Sequence, residues 1–447
     1  MLFLPRCRVR LQPTPRPSYL RRRRPPESFA SHTRTLHRFH HNPSAKHVVL
    51  GMSGGIDSSV AAHLLLQQNY RVTGIYMQNW DSRDEDGSCP SADDWTDVQR
   101  VCARLSIPCF KVGYQREYWV GVFDGFLEAY AGGRTPNPDV DCNRVVKFGR
   151  FFDQFIKPAG ETTTVPPVNY VSAAALDGVQ AVFGTADYIA TGHYARTDGD
   201  SLLRTPADPT KDQTYYLSTI TSKALSRTLF PLGGLRKARV KEIAREIALP
   251  VSVATKAESM GICFVGKRPF KAFLGDYIAP QFGVMRSVDD GAIMGVHDGV
   301  WNFTVGQRAR LGGADIKWYV CGTDVPSGTV YIAPGRDHPA LYRKSLTVSS
   351  MHWISGIEPA ALSEKGQMQL LAKYRYRTGA VSATLMKLHS RGPGYDLIFD
   401  TPQHSVAVGQ HVALYAADGD VCFGGGTIDS AQPNWPATPT LVASKAT

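Results

Sequence analysis

One stretch decides the fold: Gly51-Met52-Ser53-Gly54-Gly55-Ile56-Asp57-Ser58-Ser59. It joins a strand-like run, His47–Met52 (HVVLGM), to a helical run, Ser58–Gln68. Small residues at 53–55 let backbone N–H groups turn around an anion, and the next helix presents its positive end to the same point. Ser58 and Ser59 offer hydroxyl donors to phosphate, whereas Asp57 needs Mg²⁺ or a loop donor beside it. The stretch predicts a phosphate-binding loop, with a plain glycine-rich turn as the alternative.

Strand-like and helical runs alternate around this loop. Further strands are predicted at 71–77, 108–112 and 187–191, and helices at 94–105, 113–131, 148–157 and 237–248. This alternation predicts an α/β domain with a doubly wound parallel sheet over residues 47–250. The segment 158–182 is rich in Thr, Val, Ala and Pro without a period, and we expect an insertion loop there.

The pattern changes after this domain. From about Asp289 onward, short apolar runs punctuated by Gly indicate β-strands, which continue to His411–Tyr415. We predict a small central domain over 251–342 and a C-terminal β-barrel, or less specifically a sandwich, over 343–429. Residues 430–447 are rich in Pro, Ala and Thr and are expected to be a disordered tail.

Most of the net charge of +11 lies in the leader, residues 1–46. This segment has ten Arg and Lys46 against Glu27 alone, which leaves 39 basic and 38 acidic side chains in the rest of the chain. Its Arg, Ser, Pro and His content predicts a mitochondrial transit peptide, and hence a location in the matrix. The alternative is a disordered basic arm that binds RNA directly. Beyond the leader, any RNA-binding surface must be a local patch.

Eight cysteines are scattered singly along the chain, without a C-x-x-C pair. This spacing argues against a zinc ribbon, an iron–sulfur site built on paired cysteines, and a disulfide framework. We therefore predict no metal site made of protein ligands. The chain also lacks the roughly 20 consecutive apolar residues of a membrane span.

Two cysteines stand in distinctive surroundings. Cys142 closes the segment Thr135-Pro136-Asn137-Pro138-Asp139-Val140-Asp141-Cys142-Asn143, where two prolines favour a rigid extended turn. Asp139 lies three residues earlier, close enough in a turn to help move a proton. Cys263 lies in Lys256-Ala257-Glu258-Ser259-Met260-Gly261-Ile262-Cys263-Phe264 between apolar residues, a setting more typical of a buried core thiol. The alternative for Cys142 is a surface turn with an incidental cysteine.

The glycine loop lacks the Gly-Lys-Ser/Thr ending of a Walker site, and its sequence resembles the signature of the PP-loop ATP pyrophosphatase superfamily. Together with both cysteine segments, several further motifs resemble those of the tRNA-specific 2-thiouridylase family, in family order from about residue 47 to 428. They are Ala190–Arg196 (ATGHYAR), Lys211–Leu217 (KDQTYYL), Phe230–Gly233 (FPLG), Thr304–Arg308 (TVGQR) and Trp318–Val320 (WYV).

The resemblance implies a role for particular positions. Those implied to contact ATP are Gly51, Met52, Ser53, Gly54, Gly55, Ile56, Asp57, Ser58, Met77 and Gly192. It makes Cys142 the nucleophile and Cys263 the cysteine that receives persulfide sulfur. Those implied to contact tRNA are Asn137, Pro138 and Asp139 at the target base, and His193, Lys211, Asp212, Gln213, Arg375, Tyr376 and Gln410 elsewhere. Glu258 and His411 depart from the usual family residues.

The resemblance further implies a reaction. ATP, with Mg²⁺, adenylates the C2 oxygen of an anticodon uridine, and sulfur from a persulfide on Cys263 replaces that oxygen to give 2-thiouridine. A cysteine desulfurase or a sulfur-relay protein supplies the sulfur, and a thiol reductant resolves the Cys142–Cys263 disulfide that forms. Two rival functions stay open: an amide-forming PP-loop synthetase, which would not need either cysteine, and a non-catalytic RNA-binding relative.

Overall fold

The computed structural model describes residues 45–80, 90–157, 182–197, 201–257, 264–265, 268–388 and 394–432. The predicted leader 1–46, insertion 158–182 and tail 430–447 lie almost entirely outside these ranges. In the part of the chain that is described, no helix combines the length and the apolar character needed to cross a bilayer.

The first six strands are β1 His47–Met52, β2 Arg71–Gln78, β3 Cys109–Gly113, β4 Tyr188–Ala190, β5 Leu203–Arg204 and β6 Thr228–Leu229. All but β5 form one parallel sheet in the order β3-β2-β1-β4-β6. β1 is buried along its whole length, as a central strand covered on both faces should be. Along the chain, β2 and β3 are added on one side of β1, and β4 and β6 are then added on the other side. The loop after β1 therefore lies at the topological switch point, and the predicted α/β fold is confirmed.

Helices cover this sheet. They are α1 Ile56–Gln67, α2 Pro90–Leu105, α3 Gln115–Tyr118, α4 Asp124–Ala131, α5 Pro138–Asp141, α6 Phe151–Phe155, α7 Thr214–Leu217, α8 Ser222–Leu225, α9 Lys237–Glu246 and α10 Val251–Ala254. π-Helical segments join α3 to α4 (Trp119–Phe123) and α5 to α6 (Cys142–Arg150).

The helix expected at 148–157 begins earlier than the sequence suggested. Helical structure starts at Pro138, which suits the first helical position because its missing N–H would have no intrahelical partner there. Asn137, the residue before this helix, keeps the extended conformation that the two prolines predict. Cys142 therefore lies within a helical run and not on an extended turn.

A second sheet follows α11 Phe270–Gly275. Its strands are β7 Gly283–Ser287, β8 Ile293–His297, β9 Arg308–Ala309, β10 Trp318–Asp324 and β11 Thr329–Pro334. Their order is β8-β7-β11-β10-β9, with β7 and β11 parallel and the other pairs antiparallel. Met285, Val320, Val330 and Ile332 form the centre of its small core.

The C-terminal sheet contains β12 Tyr342–Val348, β13 Met351–Trp353, β14 Gln367–Lys373, β15 Val381–Lys387, β16 Tyr395–His404, β17 His411–Tyr415 and β18 Val421–Thr427, with α12 Ala360–Lys365. Its order is β12-β16-β15-β14-β17-β18-β13, all antiparallel. β5 pairs with β18, so a strand from the chain of the first domain extends this sheet. The predicted strand-rich C-terminus is confirmed.

A buried ion pair joins the C-terminal sheet to the first domain. Lys373, the last residue of β14, donates from Nζ to Asp212 Oδ2 at 3.0 Å, and their side chains are only 9% and 12% exposed. The other carboxylate oxygen of Asp212 accepts from the N–H and the hydroxyl of Thr214 at the start of α7. A buried charge that loses its partner is costly, so each member of this pair depends on the other.

We predict that Lys373→Met destabilises the protein by about 3 kcal/mol, because it leaves the Asp212 carboxylate buried without its counter-ion. Denaturant unfolding measures the loss. Lys223→Met is the control, since the Lys223–Asp153 pair is 79% and 61% exposed and should contribute little. A Lys373→Met protein as stable as wild type would contradict the assignment. Adding Asp212→Asn to Lys373→Met should restore part of the stability.

Candidate functional site

A large cleft opens at the carboxyl edge of the first sheet. It has a volume of about 2150 Å³, and the loop after β1, helix α9, Lys373 on β14 and the loop after β14 contribute to its walls. Pockets for small ligands span roughly 300–1,000 Å³, so this cleft has room for more than a nucleotide.

Most of the residues singled out in the sequence line this one cleft. They are Gly51, Met52, Ser53, Gly55, Ile56, Asp57, Ser58, Met77, Asn137, Asp139, Gly192, His193, Lys211, Asp212, Gln213, Arg375, Tyr376 and Gln410. Gly54, Pro138 and Cys142 lie beside the cleft without forming part of its lining. Cys263 lies outside the described residues.

The glycine loop is closed by its own serines. The Ser53 N–H donates to Ser58 Oγ at 3.2 Å, and the Ser58 and Ser59 hydroxyls donate to the Gly55 carbonyl at 3.2 and 2.8 Å. Ser58 and Ser59 therefore shape the loop through their side chains. Gly54 has φ +72°, and a Cβ there would lie 2.7 Å from the Asp94 carbonyl oxygen. A bulkier residue at 54 would therefore distort the cradle.

The carboxylate of Asp57 is paired with a basic side chain. Lys237, the first residue of α9, donates from Nζ to both carboxylate oxygens of Asp57 at 2.7 and 2.8 Å. The Tyr194 hydroxyl donates to Oδ1 at 2.9 Å. This ion pair neutralises the only acidic side chain of the glycine loop, so Asp57 does not repel an anion bound there. A side-chain partner, rather than the loop donor envisaged from the sequence, thus satisfies the carboxylate.

Gly192 forms the wall opposite the start of α1. A Cβ at this position would lie 2.8 Å from the Ser58 nitrogen and 3.0 Å from the Asp57 carbonyl carbon. Such contacts are not tolerated without backbone movement, so the space beside the positive end of α1 exists only because residue 192 has no side chain. This cradle fits the phosphates of a nucleotide.

Asp139 lies three residues before Cys142 and lines the cleft. Burial raises the pKa of its carboxyl group, while the positive charge of Lys147 opposes the shift. The Asn143 side-chain amide donates to the Asp139 backbone carbonyl at 2.9 Å, which fixes the first turn of this helical run. A raised pKa makes a carboxylate a stronger base, which suits Asp139 to proton transfer.

The Cys142 side chain is buried at 6% exposure, behind the cleft wall. The Asn79 side-chain amide donates to its sulfur at 3.8 Å, and Asn79 itself lines the cleft. Next in the chain, Trp80 packs against Phe264 with ring centroids 5.5 Å apart. Phe264 immediately follows Cys263 in the sequence and is 1% exposed. Asn79-Trp80 thus contacts both Cys142 and the chain neighbour of Cys263.

His193 is held as a neutral side chain. Its Nδ1 lies 2.8 Å from the Thr191 hydroxyl, and the rings of Phe148 and Phe230 pack around it. Burial, with a further contribution from Lys147, lowers its pKa well below the usual value. At neutral pH this imidazole can exchange hydrogen bonds but does not attract phosphate by charge.

Several positions assigned to tRNA contact also hold parts of the protein together. Asp212 pairs with Lys373, and Gln213 Oε1 accepts from the Tyr194 N–H at 2.8 Å. Arg375 donates to the Val305 carbonyl at 3.2 Å and to the Ser405 carbonyl. Gln410 Nε2 donates to the Thr135 carbonyl at 2.8 Å. These groups position the cleft walls, whatever else they contact.

The fold brings to the cleft some side chains that were not predicted from the sequence. Tyr216 packs against Tyr376 with ring centroids 4.4 Å apart and an interplanar angle of 36°, and Lys373 Nζ lies 5.6 Å from the Tyr376 centroid. Lys147 and Asn79 also line the cleft. Tyr216 lies within the quoted KDQTYYL motif, which was the signal available for it. Asn79 lies two residues after the predicted strand 71–77, in the region where parallel sheets commonly carry ligand-binding groups.

Comparison with known proteins agrees with this architecture. Residues 46–174 and 170–267 match the model of the tRNA methyl transferase HUP domain. Residues 271–334 match the tRNA methyl transferase PRC-barrel domain, and residues 343–428 the aminomethyltransferase beta-barrel domain. Together these matches extend over most of the chain.

Curated relatives match over nearly their full length. The tRNA-specific 2-thiouridylase MnmA 2 of Geobacillus kaustophilus is 43% identical over 392 residues, covering 87% of this chain and 95% of that protein. MnmA of Geobacillus thermodenitrificans is 42% identical over 393 residues, with coverages of 87% and 95%. MnmA of Bacillus subtilis is 40% identical over 392 residues, with coverages of 87% and 96%. At this identity and coverage, the chain belongs to the tRNA-specific 2-thiouridylase family.

Proposed function

We propose that this protein is an ATP-dependent sulfurtransferase that converts an anticodon wobble uridine of tRNA into 2-thiouridine. One observation carries the proposal: the glycine loop and Asp139 line the same cleft, with the Cys142 thiol just behind its wall. A site that binds a nucleotide beside a thiol and a carboxyl group of raised pKa has the parts needed to activate a carbonyl and exchange its oxygen for sulfur.

ATP is the nucleotide that the family uses, and the cradle between Gly54, Gly192 and the start of α1 fits its phosphates. Mg²⁺ would be held chiefly by phosphate oxygens, as is usual for this ion. The nearby carboxylates are already paired, Asp57 with Lys237 and Asp94 with Lys256. ATP supplies an AMP group to the uracil C2 oxygen, which turns a very poor leaving group into a good one.

Sulfur would reach the site as a persulfide on Cys263, made by a cysteine desulfurase or a relay protein. The terminal sulfur forms a bond to C2, and the C2–O bond breaks as AMP departs with that oxygen. If this sulfur attacks C2 directly, Cys142 then attacks the inner sulfur on Cys263, which breaks the S–S bond and leaves the terminal sulfur on C2. Alternatively, Cys142 attacks C2 first and is displaced by the terminal sulfur before it breaks the S–S bond in the same way. In a third route Cys142 breaks the S–S bond first and releases hydrosulfide, which attacks C2. Each route leaves a Cys142–Cys263 disulfide, so a thiol reductant must return two electrons before the next cycle. Asp139 would accept the proton that leaves the reacting thiol.

The size and charge of the cleft support an RNA substrate. Among the described lining residues, nine are Lys or Arg and four are Asp, although residues 47–447 together are nearly neutral. Such a local excess of positive charge attracts phosphates. The ring pair Tyr216–Tyr376 offers a surface on which an extruded base can stack, as single-stranded RNA readers commonly do.

The two rival functions are less well supported. An amide-forming synthetase would share the nucleotide loop but would have no use for a thiol within reach of the cleft wall. A non-catalytic RNA-binding relative would not need the Asp57–Lys237 pair, the open cradle at Gly192 or the raised pKa of Asp139. The product analysis described below separates both rivals from the proposal.

We also propose that residues 1–46 direct the protein to the mitochondrial matrix. Support comes from ten Arg and a single acidic residue in this segment, which is the composition of a transit peptide. Import of a reporter fused to residues 1–46 into isolated mitochondria tests this assignment. Retention of the reporter outside, together with direct RNA binding by the segment, would favour the basic-arm alternative.

We predict that Gly192→Ala weakens ATP binding by about tenfold or more, because the added methyl group displaces the first turn of α1. Gly234→Ala is the matched control, since no atom lies within 4 Å of the equivalent Cβ. Calorimetric titration with a non-hydrolysable ATP analogue gives both affinities. Equal affinities in the two variants would show that the cradle is not where ATP binds.

We predict that Cys142→Ser and Cys263→Ser each reduce 2-thiouridine formation by at least about a hundredfold, since each removes a sulfur that the chemistry requires. Cys109→Ser, a change on β3 away from the cleft, should retain activity. Mass spectrometry of tRNA nucleosides after incubation with ATP, Mg²⁺ and a persulfide source measures the product. Equal product from all variants, or no 2-thiouridine from wild type, would refute the proposal. A methylated nucleoside instead would indicate a methyl transferase.

We predict that Lys147→Met moves the acid limb of the kcat/KM profile to higher pH. Asp139 must be ionised to accept a proton, so activity is present above its pKa and is lost as the pH falls through it. Removing the positive charge that opposes the burial shift raises this pKa further. Lys241→Met, which removes the same charge elsewhere in the cleft, is the control. An unmoved acid limb would mean that Asp139 is not the base.

A further inference from the structure

Asn79 lies where the first sheet meets Cys142. It directly follows β2, and its side-chain amide reaches the Cys142 sulfur at 3.8 Å. A nitrogen–sulfur distance of this size suits a hydrogen bond, because sulfur is a larger acceptor than oxygen. Asn79 also lines the cleft, so this bond forms at the wall between the open space and the buried thiol.

The backbone beside Asn79 is held rigidly. The Trp80 ring stacks on Trp119 with centroids 5.4 Å apart and an interplanar angle of 4°. It also packs against Phe123 at 4.8 Å and Phe264 at 5.5 Å. A large aromatic side chain fixed on three sides leaves little freedom to the residue before it. The amide of Asn79 is thus presented to Cys142 by a well-packed support.

We propose that Asn79 is a positioning residue that stabilises the thiolate form of Cys142 by donating its side-chain N–H to the sulfur. A hydrogen bond to a charged acceptor is stronger than one to a neutral acceptor, so this bond favours the thiolate over the thiol. The opposite orientation of the amide would place an oxygen without a hydrogen against the lone pairs of the thiolate. The hydrogen-bonded arrangement is therefore also the electrostatically favourable one.

The surroundings of the Asn79 amide oxygen are consistent with this role. In the described part of the chain, the buried Asn79 Oδ1 has no hydrogen-bond partner. The amide is therefore not oriented by an acceptor bond at its oxygen, whereas its nitrogen donates to the Cys142 sulfur. A buried polar atom left without a partner is costly, and such costs are typical of groups retained for function.

The inference deepens the proposed function, on which it rests for its meaning, because sulfur transfer requires Cys142 as a thiolate. Its test requires neither tRNA nor ATP. The full-length protein is treated with iodoacetamide across a range of pH, and the alkylation rate of the Cys142 peptide is measured by quantitative mass spectrometry. Wild type, Asn79→Ala and Asn79→Asp are compared.

Asn79→Ala should raise the pH midpoint of Cys142 alkylation by about one unit, which slows the reaction roughly tenfold at neutral pH. Asn79→Asp should raise it further, because an ionised carboxylate repels the thiolate. Cys109 in the same samples serves as an internal control, since it lies on β3 away from the cleft, and its rate should not change.

Two results would overturn the inference. A Cys142 midpoint that stays within error of wild type in both variants would show that the amide does not act on the thiolate. Equal shifts in both variants, accompanied by faster alkylation of Cys109, would indicate general loosening of the fold. If the midpoints shift as expected but wild type makes no 2-thiouridine, the thiolate role stands and the proposed function fails.

Discussion

Hydrogen bonds from other parts of the chain hold the segment that carries Asp139 and Cys142 in place. The Thr135 N–H donates to the Val408 carbonyl at 2.8 Å, and Gln410 donates back to the Thr135 carbonyl at 2.8 Å. The hydroxyls of Thr135 and Thr304 lie 3.1 Å apart. The start of the reactive helix is therefore fixed by the C-terminal sheet and by the region of the central sheet. The site is complete only when all three parts are packed together.

This dependence explains the arrangement of charge around the cleft. Asp57 pairs with Lys237, Asp212 with Lys373, and Lys256 bonds to both Asp94 and Asp97. Each pair joins elements that are distant in sequence, so the same contacts that hold the walls also neutralise the acidic groups near the nucleotide loop. The lining also includes Lys147, Lys241 and Arg245, whose positive charges attract an anionic substrate.

The sequence predicted the fold well because its evidence is local. The buried run His47–Met52, the glycines after it and the helical run that follows specify a strand, a turn and a helix without any distant contact. The error at Pro138 has the same origin. Two prolines favour an extended chain locally, but Pro138 is compatible with a helix start, and packing of Val146 and Phe148 in the core favoured the helix.

By itself, the sequence determined the parallel α/β architecture, the strand-rich C-terminus, the phosphate-binding loop and the family to which the chain is similar. Only the tertiary structure decided that Lys237 neutralises Asp57, that Arg375 and Gln410 hold the cleft together, and that Asn79 reaches Cys142. The reason is physical. Local propensity and short motifs are written along the chain, whereas the partner of a charge or a thiol is set by packing between residues as many as 180 or 275 positions apart.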